Sequence, residues 1–211
     1  MASPNHPIPP HGGYRNLRSF QCARTIYDAT VIFCDRFIPR HSRTRDQMVQ
    51  AARSAVQNIA EGSMASATSK KAELKLTGVA RASLEELLLD YQDFLRQRGL
   101  RIWEKDSPEA LAVRRKYKTL RSDTSDRSDR SDRSDKSDRS DRSDPSDRAA
   151  PPDPYGIFTA TPEVAANTLI CLINQASYLL GRQIRALEQQ FLSHGGFTER
   201  LYRARTKHRG R

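Results

Sequence analysis

Apolar residues recur at spacings of three and four in four long stretches of the chain, the pattern of helices that each bury one face. The first stretch runs from Leu17 to Ile38. Ala23, Ile26, Tyr27, Thr30, Phe33, Cys34 and Phe37 form its stripe, and Pro39 ends it. The second opens at Thr44-x-x-Gln47, which has capping-box form, carries Met48, Ala52, Ala55, Val56 and Ile59, and stops at Gly62. A third runs from Lys70 to Arg98 with Leu76, Val79, Ala80, Leu84, Leu87, Tyr91, Phe94 and Leu95 on one side, and Gly99 lies just past its end. The last follows Thr161-Pro162-Glu163, a cap, a first-position proline and an acidic first turn. Leu169, Leu172, Ile173, Ala176, Leu180, Ile184, Leu187 and Phe191 stay in register there until Gly195-Gly196. Ser107-Pro108-Glu109 repeats the same start signal, so Pro108 to Leu120 reads as a shorter helix.

No segment alternates with a period of two. The expected class is all-α, an up-and-down four-helix bundle with a low-complexity insert before its last helix. Its parts are a flexible segment at 1–13, helices one to three plus the short helix within 14–120, a linker at 121–154, the last bundle helix within 155–196, and a basic tail at 197–211.

Charge changes the picture in one place. Arg121 to Arg148 is a three-residue Arg-Ser-Asp repeat with eight Lys/Arg against nine Asp, while the chain as a whole is +11, so the rest carries +12. The repeat has no aliphatic or aromatic residue to offset the entropy of ordering, which makes a solvated, disordered insert the expectation. Its alternating Asp cancels the field that a nucleic-acid-binding Arg-Ser segment would need. A long linker is no obstacle to the bundle, because closure entropy grows only logarithmically with length.

Candidate chemistry is sparse. The first residues hold Pro4, Pro7, Pro9 and Pro10 and no apolar core of a signal peptide. No unbroken run reaches the ~18 apolar residues of a membrane span. Cys22, Cys34 and Cys171 lie in apolar helical stretches and read as free buried thiols of a reducing cytoplasm. The five histidines show no ligand spacing, so neither metal nor cofactor is expected. There is no nucleophile elbow and no Gly-rich phosphate loop, and the chain does not read as an enzyme.

The densest signal is Gln47-Met48, Ala51 or Ala52, Ser54 and Asn58-Ile59-Ala60-Glu61-Gly62, followed by Ala82-Ser83-Leu84-Glu85-Glu86-Leu87. This resembles the four-helix-bundle family named after the protein encoded in 23S ribosomal RNA intervening sequences. The opening GYRNLRSFQCARTIYDAT is similar to that family's first helix, and GGFTERLYRARTKHR to the suffix of a subgroup. The resemblance implies a small cytoplasmic bundle that assembles into a ring, typically a pentamer. A relative of the family, the accessory protein of diversity-generating retroelements, is a basic bundle that binds nucleic acid and a reverse transcriptase. Nucleic acid (RNA or DNA), or such a protein partner, follows as the expectation.

Physically, Asn58 and Glu61 lie three apart on one side of a helix. The expected role is a helix-end hydrogen-bond network setting the angle to the third helix or a neighbouring subunit, and the alternative is a polar pair gripping a ligand. Arg53 and Arg81 are expected to pair with Glu85, Glu86 or Asp90. The Leu87-Leu88-Leu89 run widens one apolar face, which points to a homo-oligomer. Two basic groups suit phosphate neutralisation. Arg36, Arg40, Arg43 and Arg45 surround the turn between the first two helices, at the end where Arg96, Arg98 and Arg101 close the third. Arg200, Arg203, Arg205, Lys207, Arg209 and Arg211 form the tail, with Tyr202 interleaved for base stacking. The sequence therefore predicts a non-enzymatic binder of nucleic acid or ribonucleoprotein. Its rival is a protein-interaction scaffold with no direct nucleic-acid contact.

Overall fold

The computed structural model describes residues 13–128, 153–195, 198–199, 201–202 and 205–206. The described residues hold five helices and no strand: α1 (Arg18–Phe37), α2 (Arg43–Ala65), α3 (Lys70–Gln97), α4 (Pro108–Ser128) and α5 (Pro162–His194), with a single 3-10 turn at Tyr14–Asn16. The all-helical class is as expected. The number of helices is five, because the segment after Pro108 forms a full helix of 21 residues. It passes Leu120 and takes in the first eight residues of the repeat. The repeat from Asp129 to Arg148 lies outside the described residues, as does the N-terminal segment up to Gly12.

α1 packs on α2 and α5, α3 packs on α2 and α5, and α4 packs on α5. Phe33, Tyr91, Ile26, Met48, Ile59, Leu84, Leu87, Leu95, Leu169, Leu172 and Ile173 are fully buried between them. Burial of each such side chain contributes on the order of 1.5–3 kcal/mol. Phe33 meets Tyr91 and Phe94 edge-on at 4.9 and 4.8 Å, and Tyr91 donates to Thr30 Oγ1 at 3.0 Å, so the one buried phenol is satisfied. Burial holds its pKa well above the ordinary value.

Neighbouring elements fix which ends coincide. Phe37, at the end of α1, lies 6.5 Å from Phe94 near the end of α3. Asn167, in the second turn of α5, donates to Arg101 O just after α3. At the other end, Ser19 in α1 donates to Gln183 far along α5.

Two start signals hold in detail: Ser107 Oγ accepts from Ala110 N with Pro108 opening α4, and the second opens α5. Thr161 Oγ1 accepts from Val164 N, with Pro162 in the first position. α2 begins earlier than its capping-box pattern indicates. Ser42 is the extended residue before the helix, with no side-chain cap, and Thr44 is already helical. Gly62 does not stop α2 either. It is buried inside the helix, and a Cβ there would lie 3.3 Å from Leu76 Cβ and 3.4 Å from Glu73 O on α3. Its role is close approach of two backbones. Gly99 and Gly195 do terminate helices, with φ of 64° and 70°.

The stripes need three corrections. Val79 is exposed, while Glu73 and Thr77 are buried against the α2 seam in its stead. Leu88 is buried within the chain, so only Leu89 of the leucine run faces out. Phe191 is exposed on the last turn of α5. Within Pro162–Ser193 an 18-residue stretch has a mean hydropathy of 1.3, which makes this the one described helix long and apolar enough to cross a membrane. Polar residues interrupt its apolar run in sequence, and 56% of that stretch is buried inside the protein.

Candidate nucleic-acid interface

The arginines of the α1–α2 turn divide by what they touch. Arg36 sends Nη1 to the backbone carbonyls of Ile157 and Ala160, the latter at 2.9 Å, and lies over the Phe37 ring at 4.4 Å. It binds the segment before α5 to the end of α1. Arg45 donates to Asp35 at 2.5 Å, a contact that raises the guanidinium pKa further. Arg40 and Arg43 are exposed, and neither has an acidic partner among the described residues.

At the end of α3, Arg96 pairs with Asp93 at 2.7 Å. Arg98 lies on the Phe94 ring at 3.8 Å. Arg101 bridges Glu109 at 2.6 Å and Glu163 at 3.7 Å. The structure therefore brings these arginines to one end, as the alternation of helices suggests, and then commits five of them to intramolecular contacts. Beneath them, buried Asn167 accepts from Trp103 N at 2.8 Å and donates to Arg101 O and Glu163 O at 2.8 and 2.9 Å.

The tail leaves from the opposite end, where α5 finishes. Arg205 and Tyr202 are exposed there. Arg200, Arg203, Lys207, Arg209 and Arg211 lie outside the described residues.

The Asn58–Gly62 motif sits within α2. Asn58 Nδ2 donates to Ser54 O at 2.8 Å and to Ser54 Oγ at 3.1 Å, and the Ser54 and Ser83 hydroxyls meet across the helices at 3.1 Å. Ile59 is buried, Ala60 half-buried and Gly62 at the seam, whereas Glu61 is exposed and takes no part in that network. The motif thus forms the α2–α3 contact. Arg53 and Arg81 are both exposed and form no ion pair with Glu85, Glu86 or Asp90. Beside Ser54 and Ser83 an open groove of about 460 Å³ runs between α2 and α3, bordered by Arg43, Gln47, Gln50 and Glu86.

Sequence reasoning overlooked α4. Arg114, Arg115, Lys116, Lys118 and Arg121 fall within eight residues, a density that was visible in the sequence but masked by attention to the helix start. Ala110 is buried, and Val113 and Tyr117 pack on the core, which fixes the opposite face outward. Arg115, Lys116 and Lys118 are exposed, with Lys116 Nζ 5.8 Å from the Tyr155 ring. Arg114 turns back to Lys105 O at 2.6 Å and Asp106 at 3.8 Å.

Burial leaves the three cysteines unactivated as nucleophiles. Burial pushes the Cys22 and Cys34 thiols up to about 12, against weaker opposing contributions from Tyr117 and Arg45 respectively. All three cysteines are free, with Cys171 half-buried. Among the described residues no cluster of His, Cys, Asp and Glu could hold a metal ion. No protein-family model, curated protein or solved structure matches the chain.

Proposed function

We propose that the protein is a non-enzymatic nucleic-acid or ribonucleoprotein-binding module. In this reading α1, α2, α3 and α5 form an up-and-down four-helix bundle of the intervening-sequence type, with α4 laid against it. The observation that carries the function is the unneutralised basic surface. The +12 outside the repeat includes Arg40 and Arg43, which face solvent without acidic partners. Phosphate neutralisation needs such cations, and it releases counterions. The exposed Leu89 supports self-association in the cytoplasm, which light scattering at micromolar concentration tests: a clean monomer removes it.

The test of binding is titration of labelled RNA, single-stranded DNA and duplex DNA at a series of salt concentrations. Affinity should fall linearly with log salt and vary little with sequence, because contacts to phosphate carry no sequence information. Absence of binding at low salt rejects the reading. A protein-interaction scaffold then takes its place, favoured by the α2–α3 groove, whose rim carries Arg43 and Glu86 and so offers both signs to a peptide.

A further inference from the structure

We infer that α4 is the principal phosphate-contacting element of this protein, taking the sugar-phosphate backbone of a nucleic acid without reading its bases; the inference rests on the nucleic-acid-binding function proposed above. Three observations carry it. First, the exposed part of α4 after Glu109 holds basic residues and no acid through Leu120, the densest basic stretch among the described helices. Second, the helix cannot turn those residues inward. Ala110, Val113 and Tyr117 occupy its core-facing side over α5, so Arg115 and Lys118 are presented by the packing itself.

Third, three of the alternative cations are engaged elsewhere, which leaves Arg40 and Arg43 as the exposed pair to compare with α4. Arg36 holds two backbone carbonyls, Arg45 holds Asp35, and Arg101 holds two glutamates. Recruiting any of them to phosphate would break a contact of the fold, whereas Arg115 has no such contact to lose.

Geometry defines the partner. Arg115 and Lys118 are three residues apart, about 4.5 Å along the axis. One strand of B-form duplex advances about 3.4 Å per phosphate, so adjacent cations on α4 can meet adjacent or next-but-one phosphates. Base stacking is not available on this face, because the helix's one aromatic residue, Tyr117, is turned onto the core. Contact to phosphate alone makes the binding indifferent to sequence.

The experiment uses the full chain and fluorescence anisotropy of a labelled mixed-sequence single-stranded RNA and a duplex DNA, from low to moderate salt. The variants are Arg115→Gln/Lys118→Gln, Arg115→Lys, and Arg40→Gln/Arg43→Gln. The double α4 variant should flatten the salt slope by about 1.4 for the single strand and about 1.8 for the duplex. Arg115→Lys should keep the wild-type slope, since a point charge suffices for phosphate, and all variants should keep the wild-type helical circular dichroism. Arg40→Gln/Arg43→Gln should change the slope less than the α4 variant does. If the wild type binds and the α4 variant keeps its slope, the inference is overturned while nucleic-acid binding stands. If the wild type binds neither probe, both fall. If labelled poly-glutamate binds more tightly than either nucleic acid and loses affinity in the α4 variant, the partner is an acidic polypeptide and the assignment to phosphate is wrong.

Discussion

The α1–α2 turn and α4 carry similar densities of positive charge and use it in opposite ways. At the turn, Arg36 and Arg45 point at carbonyls and a carboxylate of the same chain, and Asn167 ties the neighbouring backbone together beneath them. On α4 the packing side is apolar and Arg115, Lys116 and Lys118 are exposed, while Arg114 turns back to Lys105 O and Asp106. A count of arginines therefore measures the potential of a surface only after its internal partners are subtracted. Substitution of Arg36 at the turn should act on stability, and substitution of Arg115 on α4 should leave it unchanged.

The sharpest probe of that division is Asn167→Ala. It leaves Trp103 N–H and two carbonyls without their buried partner and should destabilise the fold by about 2–3 kcal/mol, measured by urea denaturation. Retention of full stability would mean that the arginine end is not held from within. Arg36→Ala removes charged donors from the Ile157 and Ala160 carbonyls, where partial exposure moderates the effect to about 1–2 kcal/mol. An unchanged denaturation midpoint would place Arg36 in the same class as the α4 cations.

An anion extends the test. Asp90 is half-buried, one carboxylate oxygen has no hydrogen-bond partner, and burial followed by the charges of Glu86 and Asp93 raises its pKa. The folded state then holds the proton more tightly than the unfolded state. Wild-type stability from this group is gained as pH falls through the raised pKa and is absent above it. Asp90→Asn should therefore melt higher than wild type at neutral pH, with the gap closing in acid; a gap independent of pH would assign the effect to something other than ionisation. Arg45→Ala breaks a pair whose Asp35 side chain is 56% exposed, and should cost about 0.5 kcal/mol or less. Arg115→Gln completes the series, with a thermal midpoint that stays at the wild-type value.

What was legible in the sequence was whatever local chemistry determines. Thr161 and Pro162 set a helix start through atoms within three residues of each other, and the structure forms it as the pattern indicates. Gly99 and Gly195 end helices because each glycine itself takes the positive φ that closes a helix. Gly62 shows the limit. A glycine after an apolar stripe reads equally as a stop or as a contact, and Leu76 and Glu73 on another helix decide which.

Thr44 fails for a different reason. Ser42, two residues earlier, already takes the extended conformation, and Arg45 N bonds to its carbonyl, so the helix has begun before the expected cap. The candidate site was legible as charge but not as availability. Arg36 finds its acceptors 121 and 124 residues away along the chain, and no spacing rule reports that. The cations of α4 were in plain view, yet their outward direction depends on Val113 and Tyr117 finding the core.

The course of α5 has a consequence for ligand length. Its 33 residues begin at the arginine end and finish at the other, about 50 Å away at the rise of an α-helix. The C-terminal tail is thus rooted a full helix length from Arg40 and Arg43. A short oligonucleotide would meet either region alone, and only a chain of roughly 15 nucleotides at 3.4 Å each spans the distance between them. Under the nucleic-acid binding proposed above, a second contact beyond that length would become intramolecular and avidity would multiply the affinities of the two regions. Plotted against oligonucleotide length, affinity should show a step near that threshold, and removing the tail should abolish the step while leaving the affinity for shorter oligonucleotides intact.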